Sequence, residues 1–254
     1  MARDKAYRNA EKKIEIARRK GVIELDLSAA YNAEDNEKLA ELPESLGLLT
    51  QLQTLNLSDN QLTALPEWLG QLTQLQELNL SDNQLKVLPE SIGQLAQLQL
   101  LSLPKNQLTA LPESIGQLTQ LQSLSLPKNQ LTALPESLGK LTQLQSLDLS
   151  ENPLTALPES LRSLTQLQSL SIGGSQLTTV PEWMSRLTQL RELEIDSASI
   201  SKLPEWFSEL NTLTKLRLGS AKGSCQLSSV PKCVHHLIEK SSKHRTNAVV
   251  AVSI

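Results

Sequence analysis

The 254-residue chain has very few aromatic residues: one Phe, two Tyr and three Trp, 2% of the total. A compact globule draws much of its buried area from aromatic rings. An aromatic-centred core is therefore excluded, and the apolar fraction of 39% comes mostly from leucine. Cysteine is nearly absent as well; Cys225 and Cys233 are too few for a disulfide framework. No run approaches the ~18 consecutive apolar residues of a membrane span. The opening Met-Ala-Arg-Asp-Lys is charged with no apolar stretch behind it, so no signal peptide is expected. These absences predict a cytosolic protein with no membrane partner.

Catalytic patterns are missing too. There is no Gly-x-x-x-x-Gly-Lys-Ser/Thr phosphate loop; the nearest glycine cluster, Gly219-Ser-Ala-Lys-Gly223, has the wrong spacing. The three histidines, His235, His236 and His244, lie in no nucleophile arrangement. Together with Cys225 and Cys233 they place every histidine and cysteine within twenty residues. Zinc wants four such ligands in a tetrahedron, but the spacing matches no common zinc pattern. The expectation is no enzyme, no cofactor and no metal, with a metal-dependent activity in this C-terminal region as the alternative.

Charge is unevenly spread around a formal net of −3. Residues 1–21 hold eight basic and three acidic residues, about +5, and residues 232–254 hold four and one, about +3. The remaining 12 basic and 23 acidic residues give the body a charge of −11. An acidic body does not favour nucleic acid, whose binding is dominated by phosphate contacts.

What the chain does have is a 23-residue period. Repeats start at Val22, Leu52, Leu75, Leu98, Leu121, Leu144, Leu167, Leu190 and Leu213. The first is stretched by about seven residues around Ala29–Asn36 and the last by about four around Ala221–Ser224. Numbering each repeat from one, positions 1, 4, 6, 11, 14, 18 and 21 are apolar in all nine, with Met184 and Phe207 among the few departures from Leu, Ile and Val. Positions 4 and 6 alternate with polar 3, 5 and 7, the period of a half-buried strand, whereas 14, 18 and 21 have helical spacing. Each unit is then a short strand, a turn and a return segment of helical character. No unit can bury its own leucines, so the units stack and bury them against one another.

Other positions follow from backbone chemistry. Position 9 is Asn in repeats two to six, Asn60 to Asn152, where a buried amide can satisfy the turn's backbone groups. Position 15 is Pro in all nine repeats, suited to a first helical turn, and position 16 is Glu from Glu44 to Glu205, favoured there by the helix dipole. Residues 4–20 place Ala6, Tyr7, Ala10, Ile14 and Ala17 at amphipathic spacing before Gly21. This predicts a capping helix over the exposed first repeat, or alternatively a basic helix for an acidic partner. Residues 22–240 then form the nine repeats and 241–254 a C-terminal cap or tail.

The pattern Leu-x-x-Leu-x-Leu-x-x-Asn-x-Leu-x-x-Leu-Pro-Glu-x-Leu-Gly-x-Leu resembles the 23-residue cytosolic leucine-rich repeats. These occur in bacterial repeat proteins, the Roco GTPases, the plant Ras-group-related repeat proteins and animal Ras-pathway scaffolds. The resemblance covers about residues 22–240. It implies an α/β leucine-rich-repeat solenoid: a curved arc with a parallel sheet on its concave face, short helical segments on its convex face, and protein binding as the usual role.

In such an arc positions 3, 5, 7 and 8 point to the concave face, and the partner-binding candidates are Glu77, Asp82, Leu100, Lys105, Lys128, Asp148, Glu151, Glu192, Glu194 and Asp196. Glu192 and Glu194 share positions 3 and 5 with Lys215 and Arg217 on the next strand, so mutual neutralisation is the plainer reading there. Trp68, Trp183 and Trp206 all occupy position 17, on the convex side; they either pack between neighbouring segments or form a rival contact surface. The expected function is a monomeric scaffold that binds a protein, with regulation of a small GTPase or other signalling enzyme, or service as a fragment of a larger enzyme-bearing protein, as alternatives.

Overall fold

The computed structural model describes residues 5–30, 32–196, 200 and 203–219. It opens with helix α1, Lys5–Lys20, whose inner face buries Ala6, Tyr7, Ala10, Ile14 and Ala17, the five residues marked out by the sequence spacing. Gly21 ends it at φ 60°. The Gly21 N–H donates to Arg18 O at 3.3 Å and the Val22 N–H to Ala17 O at 3.2 Å. This pair of bonds satisfies the last-turn carbonyls and needs a left-handed residue, which glycine supplies without a Cβ clash.

Nine strands follow: β1 Glu24–Asp26, β2 Thr54–Asn56, β3 Glu77–Asn79, β4 Leu100–Ser102, β5 Ser123–Ser125, β6 Ser146–Asp148, β7 Ser169–Ile172, β8 Glu192–Asp196 and β9 Lys215–Gly219. They form one parallel sheet in chain order. Register is repeat on repeat, with Leu78 beside Leu101 and Leu101 beside Leu124. Every described core position is buried except Val22, which is half-buried against the same core. The fold is therefore an α/β solenoid with the sheet on one face and short helical returns on the other.

The returns are tighter than α-helices. Each of the eight described returns is a five-residue 3-10 helix, as at Glu90–Gln94 and Glu113–Gln117. One such turn suffices to carry position 18 inward, and a 23-residue unit has no room for a second. The prolines stand one place earlier than the sequence suggests, capping the helix in an extended conformation, as Pro89 does at φ −69°, ψ 152°. The glutamates do start the helices, but a five-residue turn has little dipole. Their carboxylates reach the following repeat instead: the N–H groups of Ser91, Ser114 and Ser160 donate to Glu67, Glu90 and Glu136 at 3.3 Å.

The asparagines form a ladder. Asn106 accepts from the Leu85 N–H at 3.0 Å and donates to Leu80 O at 2.9 Å and Leu103 O at 3.2 Å. Asn60, Asn83, Asn129 and Asn152 repeat the arrangement. Each amide thus ties its own turn to the preceding repeat. The ladder stops at Ser175, whose buried hydroxyl has no partner among the described residues. The Leu154 N–H, which an asparagine at 175 would accept, turns back to Asn152 O at 2.8 Å.

Spacing on the convex side depends on positions 17 and 19. A Cβ added to Gly70, Gly93, Gly116 or Gly139 would lie 2.4–2.6 Å from the carbonyl oxygen of the serine at position 17 in the next repeat. Where position 17 is tryptophan the flanking 3-10 helices lie farther apart than those meeting across serine, and at the first such junction the Trp68 ring lies 3.1 Å from where a Cβ on Gly47 would stand.

Candidate functional site

The concave sheet gathers the candidate side chains. With strands ~4.8 Å apart, nine of them give a surface roughly 40 Å long. Position 4 points inward throughout, so positions 3 and 5 point out, as the eBi and iBi burial of β3 and β5 records. Position 8 follows the strand with a left-handed backbone: φ is 60° at Asp59, 53° at Asp82, 52° at Lys105, 58° at Lys128 and 54° at Glu151. That turn sends five consecutive charged side chains along one rim of the sheet.

The ten candidates divide by what they already hold. Glu77 is exposed on β3, and Leu100 is 39% exposed on β4, a large apolar residue left uncovered on the sheet. Lys105 Nζ lies 2.9 Å from Asp82 Oδ1, and Lys128 Nζ 3.5 Å from Glu151 Oε1. Glu192 meets Lys215 at 3.4 Å, the cross-strand neutralisation suggested by the sequence. Glu194 pairs in register with Arg217 and accepts a bond from the Ser171 hydroxyl at 3.3 Å. Asp196 ends β8, and its side chain lies outside the described residues.

Asp148 serves the turn as well as the surface. Its Oδ1 accepts from the Ser150 N–H at 2.9 Å and the Ser150 hydroxyl at 2.7 Å. Asp26, Asn56 and Asn79 cap Ser28, Ser58 and Ser81 in the same way. Sequence reasoning gave Asp148 only a partner-binding role. The pairing of Asn or Asp at position 5 with Ser at position 7 was the available signal, because such side chains cap the N–H two residues on.

The rival surface lies behind. Trp68, Trp183 and Trp206 are half-buried and packed against the core, Trp206 stacking on Phe207 with centroids 4.7 Å apart. Glu159, Arg162, Glu182, Trp183, Ser185 and Arg186 line a convex hollow of ≈ 410 Å³. Among the described residues no group of His, Cys, Asp and Glu is arranged to hold a metal, and no described helix is long and apolar enough to cross a membrane. Cys225, Cys233, His235, His236 and His244 lie outside the described residues.

The first repeat carries the clearest electrostatics. Lys5 Nζ sits 2.6 Å from Glu37 Oε1, tying α1 to the insertion. Their hydrogen bond raises the lysine pKa and lowers the glutamate's. Hydrogen bonds from Arg18 and Arg19 likewise hold Glu15 below the usual carboxylate range.

Comparison with known proteins agrees with this architecture. Residues 120–234 match a leucine-rich repeat region model, and residues 35–85 and 50–108 match a leucine-rich repeat model. A leucine-rich-repeat protein of Leptospira interrogans is 34% identical, with a TM-score of 0.73 over 88% of this chain and 60% of that one. The leucine-rich repeat domain of the type III effector XopL is 29% identical, with a TM-score of 0.76 over 91% of this chain and 79% of that one. The ectodomain of the plant membrane receptor kinase GASSHO1/SCHENGEN3 from Arabidopsis thaliana, solved in complex with CASPARIAN STRIP INTEGRITY FACTOR 2, is 33% identical, with a TM-score of 0.62 over 70% of this chain and 22% of that one. The chain thus spans less than two thirds of the Leptospira protein. No curated protein matches its sequence.

Proposed function

This is a leucine-rich-repeat protein, and we propose that it is a non-enzymatic interaction module that holds a protein partner across its concave sheet. The observation that supports this most is the preorganised row of outward positions on nine in-register strands, pinned from behind by the asparagine ladder. A surface already rigid loses little ordering entropy on binding, so more of its contact energy appears as affinity. The complex of the Arabidopsis ectodomain supports a binding role for such a surface.

A protein suits this face better than nucleic acid. Glu24, Asp26, Asp59, Glu77 and Asp82 crowd its N-terminal third and would repel a phosphate backbone. In this reading the chain is a cytoplasmic, monomeric scaffold. Helix α1 is its cap over the first repeat, and the nine repeats span residues 22–240, with 241–254 as a C-terminal cap or tail.

Affinity capture from a cell extract, followed by titration of the recovered partner, tests the assignment. Leu100→Arg with Glu192→Lys weakens binding by about tenfold or more, whereas Trp183→Ala leaves it unchanged, each variant being checked for folding by circular dichroism. The opposite pattern places the site on the convex side and overturns the proposal.

A further inference from the structure

Repeats four and five depart from the concave rim in the same way. Repeats two and three read Leu-Ser-Asp-Asn at residues 57–60 and 80–83, and repeat six reads Leu-Ser-Glu-Asn at 149–152. Between them, residues 103–106 and 126–129 read Leu-Pro-Lys-Asn. Pro104 and Pro127 have no N–H to cap, and position 5 is accordingly Ser102 and Ser125 rather than Asn or Asp.

The exchange leaves the backbone as it was. Lys105 and Lys128 keep φ of 52° and 58°, beside 53° at Asp82 and 54° at Glu151. Asn106 and Asn129 keep their place in the ladder. The fold therefore does not require the change; only the surface is altered. In each repeat the Asn or Asp of position 5 gives way to serine and the acid of position 8 to lysine, next to the exposed Leu100. The result is a two-repeat island, apolar and cationic, flanked on both sides by repeats with an acid at position 8.

We propose that this island, with Leu100, Pro104, Lys105, Pro127 and Lys128 at its surface, anchors a partner segment that presents one carboxylate beside apolar side chains. The proposal rests on the concave reading above and names the chemistry that face selects. Lys105 and Lys128 hold the same place on adjacent repeats, so their like charges repel. In the free chain each is drawn outward to a flanking acid, Asp82 at 2.9 Å and Glu151 at 3.5 Å. Such exposed pairs are weak and readily exchanged. A carboxylate set between the two ammonium groups relieves their repulsion, while its apolar neighbours cover Leu100 and the prolines. A segment acidic along its whole length is turned away by Glu77 and Asp59 on one side and Glu192 on the other, which supplies discrimination as well as attraction.

The test uses the full chain and three blocked pentapeptides, Ser-Leu-Glu-Leu-Ser and the same sequence with Gln or Lys at its centre, titrated by amide chemical shift. The expected result is shifts at Leu101, Lys105 and Lys128 with the Glu peptide, and affinity weaker by about tenfold for the Gln peptide. Both are lost in Lys105→Asn with Lys128→Asn, asparagine being tolerant of the left-handed backbone. Equal binding of the three peptides, preference for the Lys peptide, or binding that survives the double asparagine variant overturns the proposal. A captured protein whose binding falls with Leu100→Arg and Glu192→Lys but not with the asparagine pair overturns it too, while leaving the concave reading in place. A captured protein indifferent to both pairs removes both.

Discussion

The asparagine ladder should be separable rung by rung, because one rung is missing in the native chain. Asn106→Ala removes an acceptor from the buried Leu85 N–H and a donor from the carbonyls of Leu80 and Leu103. Each buried group left without a partner costs about 1–3 kcal/mol. The Leu80 and Leu103 carbonyls keep the Asn83 and Asn129 amides as donors, and the Leu85 N–H can turn back two residues as the Leu154 N–H does at the missing rung, so the total is about 1–3 kcal/mol. Ser175→Asn runs the other way. Gly174 already has φ of 75°, close to the values that precede the other ladder residues. The Leu154 N–H, now turned back to Asn152, and the Leu149 carbonyl stand where the new amide would reach. Two added bonds at about 0.5–1.5 kcal/mol each predict a gain of about 1–3 kcal/mol, and the orphaned Ser175 hydroxyl disappears with the substitution. Because solenoids can unfold in parts, the assay is native-state amide exchange, read at Leu85 and Leu154, beside urea unfolding by circular dichroism. A loss below about 1 kcal/mol in Asn106→Ala, or a lower urea midpoint in Ser175→Asn, would refute the reasoning.

Three further outcomes follow from the packing and the charges. Leu124 is fully buried in the central sheet, so Leu124→Ala costs about 2–5 kcal/mol in thermal or urea unfolding. Gly116→Ala places a Cβ 2.5 Å from the Ser137 carbonyl oxygen, so it loses about 1–3 kcal/mol by overpacking despite lying on the surface side of the arc. Attachment of α1 weakens at both ends of the pH range. The lowered pKa of Glu37 gives a contribution present above the usual carboxylate range and lost as pH falls through the lowered value. The raised pKa of Lys5 gives one present below the usual lysine range and lost as pH rises through the raised value. Exchange at the α1 amides reads both, and Glu37→Gln removes the dependence attributable to the pair.

The core was legible from sequence because leucine dominates it and its spacing repeats nine times. Position 9 was legible for the same reason: an amide recurring among leucines has to answer backbone groups, and Asn83 and Asn106 do so. The inner face of α1 matched residue for residue because its apolar residues fall on one stripe. Interactions between repeats were harder to read. Glu67 and Ser91 are 24 residues apart, and only the stacking brings them into contact. The helical character of the return was legible in the spacing of positions 14, 18 and 21, but its type was not, and the structure shows it as 3-10. The concave candidates came out as one surface, but their unequal commitments did not, since ion pairs such as Lys105 with Asp82 depend on the direction the left-handed turn imposes. The influence of Trp183 and Trp206 on the spacing of the convex helices also lies between repeats rather than within one.

The central claim is that the partner sits on the sheet. Site-specific photo-crosslinking tests it most directly, with a benzophenone side chain placed at Ser123 on the outward face of β5 or at Ser185 on the convex side. The account predicts a covalent adduct with the captured partner from position 123 and none from position 185. An adduct from 185 with none from 123 would contradict it.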